Sequence, residues 1–274
     1  MNRFPILMYH SVAENASEMF QPWCIRPEQF EDHLVFLQQA GYQSLTLSQY
    51  LQELNKGKPL PEKSIVLTFD DGFLDFYTTA LPLLQRYGFT ATLYIATAYV
   101  GQSSKWLEFE GESQRPLVNW AQIREIHEAG IEIGAHTHTH PELDLLSNHQ
   151  VLAELKTSKH LLEDALGVET KSLAYPHGYF SQRIRALAIE AGYDNACAVK
   201  HAMSKAQDDR FALSRVDIRH HVTNEILSSY LSEDLLPLAP QTESIKTKLW
   251  RLARRYHLHR NKTFLSALSA AGYL

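Results

Sequence analysis

Apolar residues recur along the chain in two alternating periods. In one, Phe30, Leu34 and Leu37 fall three and four residues apart, the spacing that lines one face of an α-helix. In the other, short runs stand nearly unbroken: Phe4 to Tyr9, Ile65 to Phe69, Ala91 to Ile95, Ile131 to Gly134, Ser172 to Tyr175 and Ala196 to Val199. Runs this short are expected for strands buried on both faces, the condition of a parallel sheet. Helical segments end alike, in a glycine and then an apolar residue, at Gly41-Tyr42, Gly88-Phe89, Gly130-Ile131, Gly167-Val168 and Gly192-Tyr193. Glycine takes the left-handed conformation after a last turn without a Cβ clash, and a strand follows, so each pair reads as an αβ joint. The helix starts agree. Pro27 suits a first turn, Ser147 with Gln150 forms a capping box, and Asn119, Ser181 and Thr223 are expected caps. Alternating β and α at these spacings predicts an α/β fold, a barrel or a doubly wound sheet, with ligands at the C-terminal ends of the strands.

That rule gathers four polar clusters on one face: His10, Asp70 with Asp71, the run His136 to His140, and Tyr175-Pro176-His177 each stand at or just past a predicted strand end. Length and composition fit the frame. The chain has 274 residues, 45% hydrophobic and 21% charged, enough for one barrel domain with a buried core. Its net charge of −5 is uneven, because residues 244–274 hold seven Lys or Arg and no acid, which leaves −12 for residues 1–243. An acidic body argues against nucleic acid as substrate or partner. The run Leu236 to Gln241 has the proline content of a boundary, so a catalytic domain is expected over 1–235 and a tail over 236–274. In that tail Ile245, Leu249, Leu252 and Tyr256 recur at helical spacing, with Lys246, Lys248, Arg251, Arg254 and Arg255 largely on other faces. Such a basic amphipathic helix suits the acidic body, a membrane surface or an acidic partner. No apolar run reaches the roughly 18 residues of a transmembrane span. The first residues do not read as a secretory leader, and a cytoplasmic location is the expectation. Cys24 and Cys197 leave room for one disulfide but not for a thiolate zinc site, so any metal falls to His, Asp or Glu.

Ser64 to Gly72 reads S-I-V-L-T-F-D-D-G, an apolar strand ending in two adjacent carboxylates. Like charges that close repel unless a cation or a shared proton relieves them, although a solvated turn or helix cap would explain the pair taken alone. Gly134 to His140 reads G-A-H-T-H-T-H, and three imidazoles in five residues are a metal-site composition. If the segment is extended, all three share a face. If it curls, His136 and His140 pair while His138 points elsewhere, and Pro141 favours that turn.

Together T-F-D-D-G, from Thr68 to Gly72, and H-T-H-T-H, from His136 to His140, resemble the two metal motifs of the polysaccharide deacetylases, the NodB-homology domains of carbohydrate esterase family 4. The resemblance runs in motif order over roughly residues 4 to 220. It implies a distorted (β/α) barrel of about seven parallel strands, here with a C-terminal helical extension. It implies one divalent metal ion, Zn2+ or else Co2+, Ni2+ or Mn2+, on Asp71, His136 and His140, with Asp70 as catalytic base. The implied activity removes N-acetyl groups from an amino-sugar polymer, oligosaccharide or glycan intermediate, with metal-bound water as nucleophile. Zinc lowers the pKa of water from 15.7 to about 7, roughly 12 kcal/mol of easier deprotonation.

Ala174 to Gly178, A-Y-P-H-G, resembles the family's third motif, which implies that the His177 N–H, set by the bend at Pro176, donates to the developing oxyanion. Many members carry an arginine where Ala174 stands, so Asp70 must be oriented from elsewhere, with Arg215 one candidate. Leu7-Met8-Tyr9-His10-Ser11 resembles the branch in which a histidine after the first strand is the general acid, and this gives that role to His10. Trp106, in the long connection 97–118, is placed either to stack on a sugar ring or to pack. Two other functions stay open: hydrolysis of a non-sugar amide or ureide on the same scaffold, and a non-catalytic metal- or carbohydrate-binding module, against which the second carboxylate speaks.

Overall fold

The computed structural model describes residues 3–57, 61–232 and Leu236. Its main sheet is parallel throughout and is built from β1 (Ile6–Tyr9), β2 (Gln43–Leu45), β3 (Ser64–Phe69), β4 (Thr92–Ile95), β5 (Glu132–Ala135), β6 (Ser172–Ala174), β7 (Asn195–Cys197) and β8 (Val216–Asp217). Seven of these follow one another in the order β7-β6-β5-β4-β3-β1-β8, and β2 pairs with the first half of β3. The sheet curls on itself. Leu213 bridges Cys197 of β7 just before Val216 and Asp217 pair with Leu7 and Met8 of β1, so one short segment touches both ends of the strand order. The result is the expected distorted barrel.

Every residue of β1, β3, β4, β6 and β7 is buried, which explains why these runs read as unbroken apolar stretches. Helices α1 (Pro27–Gln39), α2 (Leu47–Asn55), α3 (Leu81–Tyr87), α4 (Trp120–Glu128), α5 (Asn148–Leu166), α6 (Gln182–Glu190) and α7 (Asn224–Leu231) connect or follow the strands. The apolar face of α1, Phe30, Leu34 and Leu37, is wholly buried with Tyr9, Leu67 and Phe69 in one core. Each such side chain contributes about 1.5–3 kcal/mol by leaving water. The caps fall where the sequence places them. Pro27 opens α1, and Asn119, Ser147, Ser181 and Thr223 each accept an amide three residues on. Gly88 and Gly167 end α3 and α5 at φ 73° and 69°.

Three differences from the sequence reading have physical causes. The run Phe4 to Tyr9 breaks at Pro5, which has no N–H to donate, and Arg3–Phe4 pairs instead, antiparallel, with Ser204–Lys205. Strand β2 follows the Gly41 joint but is partly exposed and polar, so it is absent from the apolar runs. Strand β8 spans two residues, too short for any period to show. Cys24 and Cys197 are both buried and free. Among the described residues no helix is long and apolar enough to cross a membrane. The boundary expected at Leu236 to Gln241 and the basic helix beyond it lie outside the described residues, apart from Leu236, which is buried in the core.

Candidate active site

The strand ends deliver the polar clusters to one face. Asp70 still donates its amide to the Tyr9 carbonyl at 3.0 Å, and His136 donates to Ile95 at 2.8 Å, so both sit on the last rung of the sheet. Beyond them the backbone turns sharply. Among the described residues Asp71, Thr137, His140 and His177 are the non-glycines with positive φ, at 79°, 65°, 56° and 57°, and all four lie in these strand-end loops. Such conformations cost about 1–3 kcal/mol each and persist where surrounding structure fixes them.

Three buried groups converge: Asp71 Oδ1 lies 3.5 Å from His136 Nε2 and 3.3 Å from His140 Nε2, and the three donor atoms are all within 4.8 Å of one another. Ligands about 2.1 Å from a tetrahedral ion stand about 3.4 Å apart, so the spacing fits a zinc-sized cation. The chemistry of the donors fits as well. His136 Nδ1 donates to the Ala174 carbonyl at 2.8 Å, which leaves Nε2 presenting a lone pair toward a carboxylate oxygen. Burial lowers the His136 imidazole to about 4, keeping it in the neutral form that ligates metal. Burial alone would raise the Asp71 carboxyl. The hydrogen bond from His140, with the neighbouring imidazoles, outweighs burial and holds it well below the usual carboxylate range. His138 turns away and pairs its Nδ1 with Thr97 Oγ1 at 2.9 Å, tying this loop to the one after β4.

Asp70 sits beside this cluster with both oxygens engaged by Arg215, at 2.6 and 2.7 Å. Arg215 is fully buried, and its guanidinium also donates to the Ala198 carbonyl at 3.1 Å and Thr68 Oγ1 at 3.3 Å and lies over the Tyr94 ring. Burial pushes the Asp70 carboxyl up, and the guanidinium overrides it, so Asp70 stays ionised below its ordinary range. The orientation that Ala174 cannot supply thus comes from the strand that closes the barrel. Half-buried His10 follows β1, close enough for its charge to act on both carboxylates.

Pro176, buried, begins a turn closed by Gly178 N to the Tyr175 carbonyl at 2.9 Å, and the His177 ring meets the edge of His140 at 4.8 Å. Trp106 also stacks on the His140 ring, at 4.9 Å and 24°. Its loop is latched to the loop after β1. Arg115 donates to Ser11 Oγ, Asp75 and the Asn15 carbonyl, and Glu112 accepts from the Ser17 amide. The structure therefore brings Asp70, Asp71, His10, His136, His140, Pro176 and His177 to one face, and adds Arg215 and Trp106.

The sequence model of the polysaccharide deacetylases matches residues 57–196, just over half of the chain. This chain belongs to the polysaccharide deacetylase family, enzymes that hydrolyse N-acetyl amide bonds of polysaccharides. The matched segment holds Asp70, Asp71, His136, His140, Pro176 and His177, while His10 and Arg215 lie outside it. YxkH of Bacillus subtilis is 28% identical over 229 residues, covering 84% of this chain and 76% of that protein. The poly-beta-1,6-N-acetyl-D-glucosamine N-deacetylase of Escherichia coli K12 is 31% identical over 140 residues, 50% of this chain. The match spans about a fifth of that enzyme, 21%. Among solved structures, the Streptococcus pyogenes deacetylase PplD in complex with acetate aligns with a TM-score of 0.74 at 26% identity, over 84% of this chain and 99% of its own.

Proposed function

We propose that this chain is a metal-dependent N-deacetylase of N-acetylated amino-sugar chains. The observation that carries the reading is a second buried carboxylate, Asp70, fixed by Arg215 beside the three convergent donors Asp71, His136 and His140. A site built only to bind metal has no use for that second acid. The names of the Escherichia coli and Staphylococcus aureus relatives specify poly-beta-1,6-N-acetyl-D-glucosamine, which supports an amino-sugar polymer as the substrate class.

Asp71, His136 and His140 would hold one divalent ion, Zn2+ on this donor set, with Co2+, Ni2+ or Mn2+ as alternatives. Such an ion supplies Lewis acidity, polarising a carbonyl and lowering the pKa of water to about 7. The chain's own residues do the rest. Asp70 accepts the proton of the attacking water as its oxygen bonds to the acetyl carbon. Arg215 keeps Asp70 ionised, so the base is free of a proton before each turnover. The His177 N–H, in the turn begun by Pro176, donates to the carbonyl oxygen as it gains charge. His10 protonates the amine nitrogen as the C–N bond breaks, leaving acetate and a free amino sugar.

The test is acetate release from N-acetylglucosamine oligomers, with added zinc and with chelator. Asp70→Asn should retain the metal and lose about 10²–10⁴-fold in rate, the usual worth of a general base. His136→Ala should lose the metal, and His10→Ala should lose rate without losing metal. Full metal occupancy in His136→Ala, or wild-type turnover in Asp70→Asn, would overturn the assignment.

A further inference from the structure

The backbone of the turn that carries His140 is gripped from outside the site by a carboxylate that the chemistry does not use. Glu154 projects from the second turn of α5, and its Oε2 accepts the amides of His138, at 2.9 Å, and Thr139, at 2.7 Å. Its Oε1 accepts the Thr139 hydroxyl at 2.7 Å. These three bonds fasten the two residues between Thr137 and His140, which are the two left-handed positions of the turn. A backbone strained at both ends of a two-residue span keeps that shape where an outside group fixes the middle.

The two imidazoles of the cluster differ in how they are aimed. His136 has its Nδ1 on the Ala174 carbonyl. His140 Nδ1 is buried without a hydrogen-bond partner, so no such bond sets the His140 ring. Its direction comes from its backbone, with its own amide on Thr137 Oγ1 at 3.1 Å, and from the flanking rings of Trp106 and His177. The backbone of this turn is what Glu154 holds. We infer that Glu154 is a positioning residue for metal binding, its carboxylate shaping the His136–His140 turn so that His140 Nε2 reaches Asp71. This rests on the reading of Asp71, His136 and His140 as the metal site.

Partners one shell outside a metal's ligands change affinity by about 10–100-fold when removed. Co2+ affinity, measured by competition with a chelating indicator, should fall by about that factor in Glu154→Ala. Glu154→Gln keeps one acceptor oxygen and should fall in between. At saturating Co2+ the visible absorption of both variants should differ from wild type, because the His140 nitrogen is displaced. Exposed Lys156, on the same helix, supplies the control, and Lys156→Ala should bind as wild type does. In metal-free protein, amide exchange at His138 and Thr139 should accelerate in Glu154→Gln. Affinity within threefold of wild type in both Glu154 variants, or equal losses in Lys156→Ala, would overturn the inference; if Glu154→Ala does not fold, Glu154→Gln decides alone. Failure of the wild type to bind Co2+ one to one would instead refute the metal site itself.

Discussion

Replacing Arg215 by methionine, of similar length and no charge, isolates what the guanidinium does for Asp70. Arg215 is fully buried and Asp70 is 3% exposed, so water replaces neither of the bonds at 2.6 and 2.7 Å. Removing one member of such a pair costs about 3–5 kcal/mol, because a carboxylate is left buried without its countercharge. The protein has one escape, which is to protonate Asp70. In the wild type the Asp70 carboxyl is depressed, so its contribution to stability is present above the unfolded carboxylate range and is lost as pH falls through the folded value. In Arg215→Met burial loses its main opponent and the carboxyl rises, which reverses the sign: stability is lost as pH climbs through the raised value.

Urea denaturation from about pH 5 to about pH 8 should therefore show a deficit of about 3–5 kcal/mol at the upper end that narrows toward the lower. The acid limb of the rate profile for acetate release should move to higher pH, since a base that holds a proton cannot take one. The double variant Asp70→Asn/Arg215→Met should recover much of the lost stability, because it removes the stranded charge. A deficit independent of pH, or an unmoved acid limb, would refute the reasoning and reduce Arg215 to a packing residue.

Two further outcomes follow from burial and close approach. A Cβ at Gly134 would stand 2.5 Å from the Tyr94 ring and 3.0 Å from the Ser172 carbonyl, so Gly134→Ala should lose about 1–3 kcal/mol in urea denaturation, and an unchanged midpoint would show that the ring yields freely. In chelator, stability should fall as pH drops from the ordinary imidazole range toward about 4, because the unfolded chain protonates His136 before the folded one does, and a flat profile across that interval would contradict its burial as a neutral ring.

The parts legible in the sequence are those set by local chemistry. Caps such as Ser147 and Asn119 and the runs of β3 and β4 follow from residues a few positions apart. The strand-end rule brings His10, Asp70, Asp71, His136 and His177 to one face from the sequence alone, and the family resemblance gives each a role. What stayed hidden depends on contacts across long stretches of chain. Arg215 and Asp70 are 145 residues apart, and nothing near Arg215 marks it as more than one candidate among several. Glu154 reads as an ordinary charge on a helix surface, because its partners are backbone amides that carry no residue-type signal. The strand order around β8 is hidden for a plainer reason: two residues cannot display a period.

The segment that seals the barrel, from the bridge at Leu213 to the pairing of Val216 and Asp217, also carries Arg215 into the interior. Shape and charge are thus completed by the same stretch of backbone. Until that stretch docks, Asp70 lacks the guanidinium that fixes both its oxygens, so a chain holding every motif up to Gly178 still lacks an oriented second carboxylate. The last strand of the main sheet in chain order thus doubles as a safety catch, because the proposed base is fixed only once the wall around the site is whole.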